Sequence, residues 1–230
     1  MKFDKSIHKT ILFQILKDIY YDTEIAPFLG FKGGTAALMF YGLDRFSTDI
    51  DLDLLDDDKR DLVFGRVEQI AQKYGILKSS YQKRFNLFLL LSYEDGAHNI
   101  KIEINRRQFG SRYEVKTYFG LSMLVMTKDD MFAHKLMAMY ERMNKTSRDI
   151  YDVWFFLSQH FPINKSIVEA RSAESFESFM PRCINKLKAV DNRHILSGLG
   201  EMLTPSQKVW VKINLKKDVI ALLSLTFGNL

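Results

Sequence analysis

The sequence predicts an α+β fold: a mixed β-sheet with flanking helices in the N-terminal half, followed by an α-helical C-terminal half. Three observations predict it. The segment TDIDLDLLD sets Ile50, Leu52 and Leu54 against Asp49, Asp51 and Asp53, the period of two of a half-buried strand. RFNLFLLLSYEDGAHNIKIEINRR reads as two strands joined by a turn at Glu94 to His98, signalled by Asp95-Gly96. From Thr127 onward, apolar residues recur at helical spacing. The boundary is expected near residue 125, separating an α/β domain (1–125) from a helical domain (126–230).

In chain order, residues 5–22 repeat Ile7, Ile11, Leu12, Ile15 and Ile19 at helical spacing and predict an amphipathic helix. APFLGFKGG then runs short and apolar into a glycine pair. TAALMFYGL reads as a helix ending near Gly42. KRDLVFGRVEQIAQKYG predicts another helix, with Gly75 as its C-cap. The second strand of the pair turns Ile100, Ile102 and Ile104 inward, against Lys101, Glu103 and Asn105. KDDMFAHKLMAMYERM and SRDIYDVWFFLSQ predict two helices separated by the polar NKTS, and the remaining chain is mostly helical. The run WFFL is core, and the charge runs DDDKRD and LKKD are solvated helix ends.

The chain has 230 residues, enough for a sizeable core, with 47% hydrophobic and 27% charged residues, as in soluble globular proteins. The formal net charge is +5 and the pI about 9.1, compatible with a polyanionic partner. One cysteine, Cys183, excludes an internal disulfide and a cysteine zinc site and fits a reducing cytoplasm. The charged N-terminal stretch is not a signal peptide. No apolar run is long enough for a transmembrane helix, so no membrane association is expected. The five histidines show no metal-ligand spacing with acidic partners.

Three features converge on one chemistry. Gly33-Gly34-Thr35 opens a helix, where backbone N–H groups and the helix N-terminus favour phosphate, and where Thr35 adds a hydroxyl. The plainer alternative is a tight turn. Asp49 and Asp51 share a strand face, where two carboxylates can share Mg²⁺; the alternative is a solvated polar face. Asp53 shares that face one step further and reads as solvated or supporting. If the strand carrying Glu103 pairs beside the aspartate strand, Glu103 completes a carboxylate trio suited to nucleotidyl transfer; otherwise it is a lone exposed side chain. Arg106, Arg107 and Arg112 form a loop cluster that is solvated by default and able to meet phosphates.

The stretch KGGTAALMFYGLDRFSTDIDLDL resembles the AbiEii/AbiGii toxin family of nucleotidyltransferases, within the DNA polymerase β-like superfamily. The resemblance falls on Lys32, Gly33, Gly34, Thr35, Arg45, Ser47, Asp49 and Asp51. A second block, AHKLMAMYERMNKTSRDIYDVWFFL, resembles that family at Lys135, Arg142, Arg148, Asp149 and Asp152. Spacing alone favours an intrahelical ion network among Arg148, Asp149, Asp152 and nearby Arg142, because Asp149 and Asp152 share a helix face. The resemblance implies instead that this block carries active-site residues. It implies Asp49 and Asp51 as metal ligands, to which the strand-pairing reading adds Glu103, and Asp49, Asp51, Lys135 and Asp149 as catalytic. It implies Lys32, Gly33, Gly34, Thr35, Arg45, Ser47, Arg148 and Asp152 as nucleotide-binding, with the helical domain completing the active site.

The implied function is Mg²⁺-dependent (or Mn²⁺-dependent) transfer of a nucleotide from an NTP to a hydroxyl acceptor, tRNA or another RNA. The protein would be a cytoplasmic toxin with a cognate antitoxin of winged-helix repressor type. The alternatives are a catalytically silent nucleotide- or RNA-binding module, or transfer to a protein or a small molecule such as an aminoglycoside.

Overall fold

A computed structural model describes residues 4–94 and 98–227, so the Asp95-Gly96 turn signal lies outside the described residues. The chain divides into two compact units. The first comprises Met1–Gly42, Ser47–Gln108 and Arg112–Met126; the second comprises Leu43–Phe46, Phe109–Ser111 and Thr127–Leu230.

The first unit contains helices α1 (Lys5–Tyr21), α2 (Gly33–Phe40) and α3 (Arg60–Gln72). Its strands are β1 (Leu29–Lys32), β2 (Ile50–Leu54), β3 (Ile76–Gln82), β4 (Asn86–Ser92), β5 (Ile100–Asn105), β6 (Tyr113–Tyr118) and β7 (Leu121–Met126). The seven described strands form one sheet in the order β3-β4-β5-β2-β1-β7-β6. β2 runs parallel to β5 and β1 parallel to β7, while the other neighbouring pairs are antiparallel, so the sheet is mixed.

Period-two alternation sorts the central strands. Ile50, Leu52, Leu54, Leu87, Leu89, Leu91, Ile100, Ile102 and Ile104 are all buried. α3 packs on β3, β4 and α1, adding Val63, Val67 and Ile70 to the core. Each fully buried Leu or Ile contributes about 1.5–3 kcal/mol. This fixes the strand register, because a one-residue slip would bring the acidic side chains into the core.

Two expectations shift. The buried face of α1 carries His8, Leu12, Ile15, Leu16 and Ile19, whereas Ile7 is exposed. α3 ends at Gln72 with Lys73 as its cap. Gly75 is required instead by a close approach: a Cβ there would fall on the backbone of Ser92 and Tyr93.

The second unit contains α4 (Lys128–Arg142), α5 (Arg148–Ser158), α6 (Lys165–Ser172), α7 (Phe176–Lys188), α8 (Pro205–Trp210) and α9 (Lys216–Phe227). α4 packs on α5 and α6, and α9 on α5 and α7. Phe132 and Phe156, both fully buried, stack at the α4–α5 contact with ring centroids 5.5 Å apart. Among the described residues, no helix is long and apolar enough to cross a membrane.

Candidate active site

β2 and β5 are parallel neighbours in the register Asp51↔Glu103, and β1 lies on the other side of β2 in the register Lys32↔Asp51. Directly opposed strand residues share a face. Lys32, Asp51 and Glu103 therefore form one row across the sheet, with Asp49 and Asp53 two residues to either side of Asp51. The apolar alternation that buries Ile50, Leu52 and Leu54 is what turns these carboxylates to the other face.

Gly33 bends into α2 directly beside that row. Its φ of +80° is a backbone conformation that glycine adopts without steric cost, and a Cβ there would fall on the Asp51 carboxylate. A side chain is thus excluded at Gly33 by both torsion and space. The N-terminal turn of α2, with its unpaired N–H groups, opens at this bend. Thr35 sits inward: its hydroxyl lies 2.9 Å from Ser47 Oγ and donates to the Asp49 carbonyl. Thr35 and Ser47 thereby fasten α2 to the start of β2.

A lysine occupies the middle of the acids. Lys101 Nζ lies 3.6 Å from Asp49 Oδ2 and 3.2 Å from Glu103 Oε2. Burial works against its charge, but Asp51, Asp49 and Glu103 together raise its pKa. Burial likewise penalises ionised Glu103, yet Lys101 and a 3.2 Å hydrogen bond from Asn86 Nδ2 bring its pKa below the usual carboxylate range. Three carboxylates against one ammonium leave two negative charges in excess. Among the described residues, no three Asp, Glu, His or Cys side chains stand in metal-coordinating arrangement. The donor set nevertheless fits a divalent cation: it is all oxygen, as Mg²⁺ and Mn²⁺ require, and its excess charge matches theirs. Lys101 is the cation that stands among these donors.

Asp53 is neither solvated nor part of that set. It is buried and holds Lys32 Nζ at 2.5 Å, Asn105 Nδ2 at 2.6 Å and the Tyr113 hydroxyl at 2.5 Å. Lys32 is therefore neutralised by its neighbour on the sheet. His8, fully buried on α1, donates from Nε2 to the Thr48 carbonyl at 3.0 Å, so its Nδ1 accepts from the Tyr93 hydroxyl, also at 3.0 Å. This anchors the residue before Asp49. Burial pushes the His8 pKa down, outweighing the Thr48 bond and the Asp49 charge.

In the second unit, Arg45 and Asp152 form a buried two-pronged pair, Nε–Oδ1 at 2.6 Å and Nη2–Oδ2 at 2.7 Å. Lys135 Nζ joins it at 2.6 Å from Asp152 Oδ2. Burial alone would raise the Asp152 pKa, but Arg45 and Lys135 bring it down to about 2. Lys135 also lies 3.6 Å from Asp149 Oδ1. Asp149 Oδ2 is 2.8 Å from Arg142 Nη2, an ion pair without hydrogen-bond alignment, so this buried oxygen accepts no hydrogen bond among the described residues. The ion network expected within one helix thus runs between α4, α5 and the Arg45 segment. Arg148 opens α5 and is half-buried.

Sequence reasoning had not singled out Lys101, Asn86 or His8. Lys101 was visible as the outward neighbour of Glu103 in IKIEI; nothing local marks Asn86 or His8, whose partners are distant in the chain. Arg106 is committed to Asp57 at 2.7 and 2.8 Å.

Residues 14–199 match the family profile described as nucleotidyl transferase AbiEii toxin, type IV TA system. Among solved structures, the fold is similar to a candidate nucleotidyltransferase from H. pylori, with a TM-score of 0.66 and 20% identity over 98% of this chain and 95% of that one. It is similar to JHP933 from Helicobacter pylori, with a TM-score of 0.58 and 19% identity over 98% and 92%. It is also similar to the antibiotic-resistance factor ANT(2'')-Ia, with a TM-score of 0.51 and 15% identity over 80% and 98%. At these identities the likeness is one of fold. No curated protein matches the chain.

Proposed function

The chain belongs to the AbiEii family of nucleotidyltransferase toxins, and from that premise we propose that it moves a nucleotide from an NTP to a hydroxyl of tRNA or another RNA, dependent on Mg²⁺ or Mn²⁺. The observation that carries this reading is the pairing of Asp51 with Glu103 beside the Gly33 bend. Carboxylates gathered at a helix N-terminus that suits phosphate are what a metal-bound triphosphate needs.

Asp49, Asp51 and Glu103 would hold the cation, beside Lys101, which balances part of their charge. The chemistry such an ion supplies is neutralisation of triphosphate charge and a more acidic attacking hydroxyl. The backbone N–H groups of Gly33 and Gly34 receive phosphate oxygens. Thr35, Ser47 and Lys32 act through the positions they fix: the first two set the start of β2, and Lys32 keeps Asp53 neutralised beside the row.

In the helical unit, Asp149 is the group suited to accept a proton, because one of its buried oxygens lacks a hydrogen bond. Lys135 and Arg148 supply positive charge for phosphate. Arg45 and Asp152 hold Lys135 in place. As a toxin of a type IV system the protein has an antitoxin partner, for which we infer a winged-helix repressor, and we infer that it acts in the cytoplasm.

The test is transfer of label from each of four α-³²P NTPs to pools of tRNA, protein and small-molecule hydroxyls. Label is expected on tRNA, dependent on Mg²⁺, and absent with Asp49→Ala/Asp51→Ala. Label on tRNA that persists in that variant removes the aspartates from the mechanism. NTP binding without transfer to any pool leaves a binding module.

A further inference from the structure

The acidic row continues into an aromatic and basic surface. Phe88 on β4 opposes Glu103, and Tyr81 on β3 opposes Phe88, so both rings share the face of the carboxylates. The two rings stack, with centroids 4.8 Å apart and planes 12° from parallel. Just beyond, Phe85 sits in the β3–β4 turn with 45% of its surface exposed.

Cations cover these rings. The guanidinium groups of Arg84 and Arg107 lie 4.9 and 5.1 Å from the Phe85 centroid, and Lys83 Nζ lies 4.7 Å from that of Tyr81. The turn is held rigidly. Arg106 donates to the Lys83 and Arg84 carbonyls at 3.2 and 3.0 Å while Asp57 neutralises it. The nearby acid Asp61 is likewise paired, with Arg60. Lys83, Arg84 and Arg107 form no ion pair among the described residues, so their charge is available to a partner.

We propose that this surface binds a single-stranded RNA acceptor, its bases stacking on Phe85 and on the Tyr81–Phe88 pair and its phosphates meeting Lys83, Arg84 and Arg107. Rings alternating with unneutralised cations on a rigid turn are what an unpaired strand requires, since every base has a face to stack and every linkage a charge. A duplex hides its base faces, and an acidic peptide has no use for the rings. The strand would run along the sheet toward Glu103 across neighbouring strands about 4.8 Å apart. The choice of RNA rests on the nucleotidyl-transfer reading; the stacking surface does not.

The experiment measures fluorescence anisotropy of a fluorescein-labelled, unstructured RNA dodecamer with the full chain, in EDTA and without NTP. Phe85→Ala is expected to weaken binding roughly tenfold or more, and Phe85→Trp to restore it. Arg107→Gln should lower the salt slope by about 0.7. Because Phe85 lies in a surface turn outside the core, the alanine variant should stay folded, as its thermal melt checks. Binding within twofold of wild type for Phe85→Ala overturns the proposal. So does preference for a duplex, tighter binding of the equivalent DNA, or displacement by polyglutamate that is indifferent to Phe85. If no pool accepts label yet Phe85→Ala loses RNA, the transfer reading falls and this surface stands; labelled tRNA with RNA binding unmoved by Phe85→Ala gives the reverse.

Discussion

Single side chains decide most of the site's behaviour. Lys101 is an internal counter-ion, and Lys101→Met leaves the three carboxylates with no cation among them. The melting temperature in EDTA should fall, by a stability change of about 1–3 kcal/mol for this half-buried cluster. Added Mg²⁺ should raise it by more than it raises the wild type, as differential scanning fluorimetry would read. Gly33→Ala combines torsional strain of about 1–3 kcal/mol with a collision on Asp51, so transfer should fall at least tenfold. Asp149 and Asp152 need different handling although they share a helix face. Removing Asp152 leaves Arg45 buried without its carboxylate and takes the nearer one from Lys135, at a cost of about 3–5 kcal/mol. That is a large share of the roughly 5–15 kcal/mol that holds a domain together. Asp152→Ala should therefore fail mainly by unfolding, as denaturant melts would show. Asp149→Asn keeps its shape and should lower kcat by about 10²–10⁴ while costing less stability than Asp152→Ala, because its partner Arg142 is half-exposed and can be resolvated.

Whole elements carry the second kind of control. α1 reaches β2 through His8 and the Thr48 carbonyl, and the lowered pKa of His8 gives that link a pH dependence. The folded state favours neutral imidazole, so the stabilisation is complete above the unfolded value of about 6.5 and is lost as pH falls below it. Thermal stability should decline from pH 7 toward 5.5, and His8→Gln should flatten that stretch of the curve. β2 was legible because its alternation is clean and its charges are all on one side. β3, β6 and β7 were not. β3 and β6 are the sheet's edge strands and bury little: ILKSSYQ lacks an alternating apolar face, and YEVKTY alternates over only a few residues with Val115 left exposed. β7 has apolar alternation at Leu121, Met123 and Val125, but its pairing with β1 is a contact across some ninety residues that no local pattern encodes. β1 was too short to declare itself outside the sheet. α1, α4 and α5 were legible from their 3.6-residue period, although Ile7 of α1 is exposed.

At the scale of the molecule, a basic chain carries one locally acidic row. The formal charge of +5 sits on a protein that sets Asp49, Asp51 and Glu103 on one sheet face beside a glycine bend. Composition suggested a polyanionic partner, but only the strand register showed that the acids are adjacent, because Asp51 and Glu103 are fifty-two residues apart in the chain. The Lys135 and Asp149 pair was likewise visible as residues and invisible as geometry, since Arg45 enters their network from a distant segment. The most direct test of the central claim is titration of Mn²⁺ into the full chain with a non-hydrolysable NTP, following the free-ion signal by electron paramagnetic resonance. Saturable uptake by the wild type that disappears in Asp51→Asn, with both proteins equally folded, is the predicted result. Equal uptake by the two would contradict the assignment of this acidic row as the place where the nucleotide and its metal are received.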